Sequence, residues 1–151
     1  MRGRSISRQK ARFLMQDYER GFIGFCGYQA TDAEWGRFES RVEIQDHHRQ
    51  QDGFIHAGVM ATMADHTAGY SAFTIVPQGM QILTIEFKIN FFRPAFGDAL
   101  LCRAKVVREG RQIIVSESEV FDLRKEGEIA VAKALVTLMA VPAENLQSAP
   151  L

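Results

Sequence analysis

The sequence is short of most features that assign a chain at sight. It holds two cysteines in 151 residues, Cys26 and Cys102. Two thiols so far apart make no disulfide framework, so free thiols in a reducing compartment, and hence a cytoplasmic location, are the expectation. There is no excess charge: Lys plus Arg number 18, and so do Asp plus Glu. That argues against electrostatic capture of nucleic acid. No apolar segment follows the basic start MRGRSISRQKARFLMQDYER, so the chain opens on no secretory signal. The adjacent pair His47 and His48 lacks the spacing of metal ligands. Neither an internal repeat nor a linker is visible, and the length fits one domain.

One shortage is local. Between Gly53 and Ile85 the only Asp, Glu, Lys or Arg is Asp65. The apolar run from Val59 to Val76 around it carries Asp65, His66 and small polar residues, so it reads as a buried core helix and not a membrane span. A lone carboxylate taken from water costs several kcal/mol or becomes neutral unless something pairs with it. Asp65 is therefore either solvated or buried for a purpose.

Hydrophobic residues make up 46% of the chain, enough for a core and for an oligomer interface. Periodicity predicts a surface helix over Ser5–Arg20, stopped by Gly21. Two strands follow, the second in WGRFESRVEI, where Phe38, Val42 and Ile44 alternate with charges. After the polar loop IQDHHRQQDGF comes the central helix, His56 to Val76, ended near Pro77 and Gly79. Four strands complete the chain: MQILTIEFKINFF, ALLCRAKVVRE, QIIVSESEVFDL and IAVAKALVTLMAV. They read as an antiparallel meander with turns at RPAFGD, Glu109–Gly110–Arg111 and RKEGE. A helix apolar nearly all round needs cover on most sides. One curved antiparallel sheet wrapped around one helix supplies it, an α+β arrangement. The expected boundaries are an N-terminal helical segment 1–22, a domain 23–142 and a disordered tail 143–151.

GFIHAG leading into a helix, with Asp65 nine residues after His56 and KINFFRPAFGD further on, resembles the hotdog-fold thioesterases. It is most similar to the branch containing the phenylacetate-degradation thioesterases, and the resemblance spans Phe25 to Val141. The loop of that branch, Asn-x-x-Gly-x-x-His-Gly-Gly, is matched here by Gln50, Gly53, His56, Ala57 and Gly58. Gln50 replaces the Asn that helps polarise the thioester carbonyl, and Ala57 replaces the first Gly. The resemblance implies an acyl-CoA thioesterase with the Ala57 amide, and Gly58 nearby, at the thioester oxygen. Asp65 would be general base or nucleophile, Gln50 a second polarising group, and Thr84 a residue orienting the catalytic water. The unpaired amides and dipole of a helix N-terminus suit an oxyanion.

His56 is expected to orient the loop by hydrogen bonds, and Arg93 and Arg111 to meet coenzyme A phosphates. Phe87, Phe91 and Tyr70 are candidates for an acyl pocket, with core packing as the default. No metal or redox cofactor is expected; coenzyme A is part of the substrate.

Asp65 lies eight residues beyond Ala57, about 12 Å along a helix. If both groups serve one thioester they come from different subunits, so the spacing argues for a symmetric homodimer, with a tetramer of two such dimers as the larger form. No nucleic acid or membrane partner is expected. Two other functions stay open: a non-catalytic acyl-CoA-binding module, which the changes at Gln50 and Ala57 would permit, and a hydratase or dehydratase, disfavoured because its Asp-then-His pattern is missing.

Overall fold

The computed structural model of the chain describes residues 3–146. Helix α1 spans Arg8–Tyr18 and is capped by Ser7, whose hydroxyl accepts from the Lys10 amide at 3.1 Å. It is shorter than the periodicity suggested. Gly21 does not end it: the chain turns at Glu19–Arg20, and GFIGFC, grouped with the first strand on sequence, forms a short helix α2, Gly21–Cys26. Gly27, at φ +84°, closes α2 in the left-handed conformation that glycine adopts without strain.

Strands β1 (Tyr28–Glu34) and β2 (Arg37–Glu43) form a hairpin. The central helix α3 runs Ala57–Phe73, a turn shorter than expected at its C-terminus. There the Lys10 ammonium donates to the carbonyls of Thr74 (2.9 Å) and Val76 (2.7 Å), so α1 caps α3 with a cation where the dipole favours one. Strands β3 (Met80–Phe91), β4 (Ala99–Glu109), β5 (Ile113–Arg124) and β6 (Gly127–Pro142) follow.

All six strands form one antiparallel sheet in the order β1-β2-β4-β5-β6-β3. This corrects the four-strand meander: β4, β5 and β6 are consecutive, but β3 pairs with β6 at the far edge, and β4 pairs with β2. Phe38, Val42, Leu100, Cys102, Ala104, Ile114, Val120, Ala134, Val136 and Leu138 form the buried core against which α3 lies. Met63, Ala64, Ala68 and Ala72 of α3 are fully buried. The small side chains of the three alanines let the helix sit close to the sheet. Tyr18 carries α1 onto this core, buried and hydrogen-bonded to Thr67 at 3.1 Å. Both cysteines are free thiols.

Residues 143–145, at the start of the expected tail, make a 3-10 turn tied back by the Ala143 amide to the Gly79 carbonyl; residues 147–151 lie outside the described residues. Among the described residues no helix is long and apolar enough to cross a membrane.

Candidate active site

Three segments meet around the start and middle of α3: the loop 46–56, the body of the helix, and the inward face of β3. The loop is built on short hydrogen bonds. The Gln50 amide donates to the Phe54 carbonyl (2.8 Å) and the Gly53 amide to the Gln50 carbonyl (3.0 Å). Gly53, at φ +87°, makes the reversal that a side chain would strain. The Gln50 side-chain oxygen accepts from the Asp52 amide, so the amide group expected at the carbonyl turns partly into its own loop. His48 is buried: its Nδ1 accepts from the Gln45 amide and its Nε2 donates to the Cys26 carbonyl. It is a structural strut, and burial lowers its pKa.

His56 is the N-cap of α3. Its Nδ1 accepts from the Gly58 amide at 2.8 Å while its own amide donates to the His48 carbonyl at 2.9 Å. These two bonds tie the loop to the helix start through His56. A Cβ at Gly58 would stand 2.9 Å from that ring nitrogen, so the cap needs glycine there. The cap also engages the Gly58 amide. Among the described residues, the Ala57 amide donates to no acceptor. Of the two candidate oxyanion donors, Ala57 is the one left available, on an exposed helix start.

Asp65 sits two turns further along α3, half-buried, and points toward β3. The Thr84 hydroxyl donates to its Oδ1 at 2.8 Å. Burial pushes the Asp65 carboxyl above the ordinary range; the Thr84 hydrogen bond and the neighbouring His66 oppose the rise. His66 turns the other way. Its Nε2 donates to the Tyr18 carbonyl at 3.1 Å, and its ring packs between Tyr18 and Tyr70. Burial lowers its pKa, so it is neutral at physiological pH. The sequence thus yields no Asp–His pair, but an Asp–Thr pair that adjacency along the chain does not reveal.

The structure brings Asp65 and Thr84 together and places Gln50, His56, Ala57 and Gly58 in one cluster at the helix start. The two clusters are separated by the length of α3 between them, about 12 Å. Arg93 and Arg111 are both exposed and fall at opposite ends of the sheet, before β4 begins and after it ends. Arg93 adjoins the loop 94–98; Arg111 lies in the β4–β5 hairpin. Tyr70 is core, with its hydroxyl on Asp17 at 2.7 Å, whereas Phe87 and Phe91 are 38% and 45% exposed on β3. Among the described residues no three His, Cys, Asp or Glu side chains gather as a metal site.

Sequence reasoning passed over a second tier. Asp122, fully buried on β5, accepts from the Phe96 and Gly97 amides, both at 3.0 Å, and from Arg124 Nε at 2.7 Å. Arg124 reaches the Pro94 carbonyl and lies over the Phe96 ring. The loop so fixed accepts from the other side. Ile55 donates to Ala95 O at 2.8 Å, and Arg49 reaches the carbonyls of Gly97 (3.3 Å) and Gly53 (3.0 Å). Asp122 therefore holds the loop against which the start of α3 is registered. A signal was present: Ile114, Ser116, Ser118, Val120 and Asp122 share the inward phase of β5.

This geometry is that of a known family. The profile of the thioesterase superfamily matches residues 52–128, and the chain belongs to that superfamily. A Halobacterium salinarum protein provisionally named an esterase is 31% identical over 117 residues, covering 73% of this chain and 77% of its own. The crystal structure of a thioesterase family protein from Silicibacter pomeroyi superposes with a TM-score of 0.83 at 34% identity, covering 89% of this chain and 97% of its own. Two structures at 21% identity share the fold. One is the Escherichia coli PaaI protein of the phenylacetic acid degradation operon, with a TM-score of 0.77 over 88% of this chain and 94% of its own. The other is a hypothetical thioesterase from Streptococcus pneumoniae solved with coenzyme A, with a TM-score of 0.73 over 85% and 97%. The α+β hotdog architecture expected from the sequence is the one observed.

Proposed function

We propose that this chain is an acyl-CoA thioesterase whose active sites lie across a homodimer interface. The observation that carries the reading is the Asp65–Thr84 pair: a half-buried carboxylate, alone on an otherwise uncharged helix, oriented by a hydroxyl from the next strand. Membership of the thioesterase superfamily supports reading it as the base or nucleophile of the hydrolysis. Water, activated by Asp65 or attacking after Asp65 itself has attacked, supplies the oxygen that bonds to the acyl carbon. The carbon–sulfur bond breaks, and coenzyme A leaves as the thiolate and takes up a proton. The free amide of the partner's Ala57 stabilises the oxyanion. Coenzyme A enters with the substrate, and the proposal assigns no resident cofactor; the neighbour solved with coenzyme A supports that substrate class.

The edge strand supports the dimer. β3 is twelve residues long, paired on one side by β6, and exposes Leu83, Ile85, Phe87 and Phe91. A long apolar edge is a template for another strand, and a second β3 related by a two-fold axis satisfies it. Val107 and Leu135, each about half exposed on the sheet, mark the surface through which two dimers would meet. The second reading, a binding module without turnover, rests on the departures at Gln50 and Ala57; the Gln50 oxygen is engaged in its own turn, and its NH2 is the group that would have to reach the carbonyl.

Two variants separate these readings. Asp65→Asn removes the base. Ala57→Pro removes the amide hydrogen at the first helical position, where proline is tolerated, and His56 before it already has the extended conformation that proline requires. Each variant alone should lose at least about a hundredfold in coenzyme A release. Dissociated and remixed, the two should regain about a quarter of wild-type activity, because half of the dimers then hold one intact site of two. No recovery on mixing, with mixed dimers verified, places both groups in one chain and sinks the shared-site proposal. Hydrolysis of no acyl-CoA by wild type, with binding retained, favours the module.

A further inference from the structure

We propose, resting on the thioesterase reading, that Ser118 is a positioning residue for Asp65, acting through the peptide unit that precedes it. The face of α3 toward the sheet is not simply apolar. Ala64, Thr67, Ser71 and Thr74 recur at steps of three and four, so they share one stripe. Each is tied to the sheet through a hydroxyl. Ser118 Oγ of β5 donates to the Ala64 carbonyl at 2.7 Å. Thr67 Oγ1 meets Ser40 Oγ of β2 at 2.7 Å, and Ser71 Oγ meets Ser116 Oγ of β5 at 3.0 Å. Thr74 Oγ1 accepts at 2.7 Å from the Gly36 amide, in the turn between β1 and β2. All of these hydroxyl residues are fully buried. Apolar packing is non-directional and lets a helix slide or roll slightly on its sheet. Hydrogen bonds at four fixed points do not.

Of the four ties, the one from Ser118 alone grips the helix backbone. The Ala64 carbonyl and the Asp65 amide belong to one planar peptide unit, so holding the oxygen holds Asp65 N and, through it, Cα. Thr84 holds the other end of the residue, at Oδ1. Ser118 stands opposite Ala134 and Thr84 opposite Leu138, both on β6, so the two anchors sit on the strands flanking one central strand. Asp65 is thus fixed by its backbone to β5 and by its carboxylate to β3. A reacting group has to keep its place to about 0.5 Å, and this frame does that. The helix does not need the Ser118 bond to stay satisfied. The Ala64 carbonyl already faces the Ala68 amide within α3, so losing the hydroxyl leaves no carbonyl without a donor. Ser118 therefore holds position at little cost to stability.

The test is coenzyme A release from acetyl-, hexanoyl-, decanoyl-, palmitoyl- and phenylacetyl-CoA, followed on whichever wild type hydrolyses fastest. The variants are Ser118→Ala, Ser116→Ala, Thr84→Val and Ser118→Ala combined with Thr84→Val. Ser116→Ala removes an equally buried hydroxyl whose tie lies six residues beyond Asp65, and Ser71 keeps its bond to the Ala68 carbonyl. Ser118→Ala should melt within about 2 °C of wild type and lose about tenfold in kcat with KM unchanged. Ser116→Ala should keep the wild-type kcat. On top of Thr84→Val, Ser118→Ala should cost less than about threefold, because the contact it serves is already gone. An unmoved kcat in Ser118→Ala, an equal loss in Ser116→Ala, a full second loss in the double variant, or a Ser118→Ala melting temperature lowered by more than about 5 °C overturns the positioning role and leaves the thioesterase reading intact. Hydrolysis of none of the five by wild type overturns both.

Discussion

Thr84 Oγ1 donates to Asp65 Oδ1 across 2.8 Å, and among the described residues it is the one side chain whose hydrogen bond holds that carboxylate toward its ionised form. Burial works the other way. A base must be ionised to act, so the acid limb of the pH–kcat/KM profile should lie above the ordinary carboxylate range. Thr84→Val removes the opposing hydrogen bond and should move that limb to higher pH, with about a tenfold loss at neutral pH. Thr84→Ser should restore both. A pH profile of the three proteins decides it: an unmoved limb in Thr84→Val means Asp65 is not the titrating base.

The same carboxylate carries a stability cost. Its pKa is raised in the folded chain, so between the unfolded and the folded value the native state holds more protons. That contribution to stability is complete below the unfolded pKa and is lost as pH rises through the folded one. Asp65→Asn should therefore melt higher than wild type at neutral pH, by about 2 °C or more, with the difference shrinking toward pH 4. Calorimetry at the two pH values checks this; a lower melting temperature for the variant at pH 7 contradicts it.

Asp122 and Arg49 should separate stability from activity. Asp122 is buried and satisfies two amides and Arg124, so Asp122→Ala should cost about 3–5 kcal/mol in urea denaturation. Arg49 bridges the loops at 49–53 and 97 from the surface. Arg49→Ala should cost less than about 1 kcal/mol yet lower kcat/KM about tenfold, because it loosens the register of the α3 start. Equal activity in Arg49→Ala and wild type would show that the bridge is dispensable.

If β3 is the dimer edge, charges on it should prevent pairing. Leu83→Lys combined with Ile85→Lys should run as a monomer by light scattering and lose activity without losing its far-UV spectrum. A dimer of normal activity would place the interface elsewhere.

How far the sequence could be read varied by residue. Alternation located Phe38 and Val42 in β2, and the apolar run around the lone Asp65 located α3, because a buried element writes its pattern into the chain. The loop motif placed His56, Ala57 and Gly58 together because they are contiguous. Strand order was harder: nothing local distinguishes β3 pairing with β4 from β3 pairing with β6, since both leave the same inward face. GFIGFC is too short and too apolar for its period to separate helix from strand. The ties from Asp122 and Arg49 to the loop 94–98 join segments many residues apart, so only the folded chain assembles them.

The placement of β3 also sets a schedule for synthesis. Its partner β6 is the last of the six described strands to be made, some fifty residues later, with Met80 opposite Pro142. A ribosome-bound chain therefore carries an apolar strand with neither edge satisfied until the final hairpin closes. Between translating Phe91 and translating Pro142 this apolar edge stands open to other copies of the chain, and the sheet cannot be completed until β6 is made.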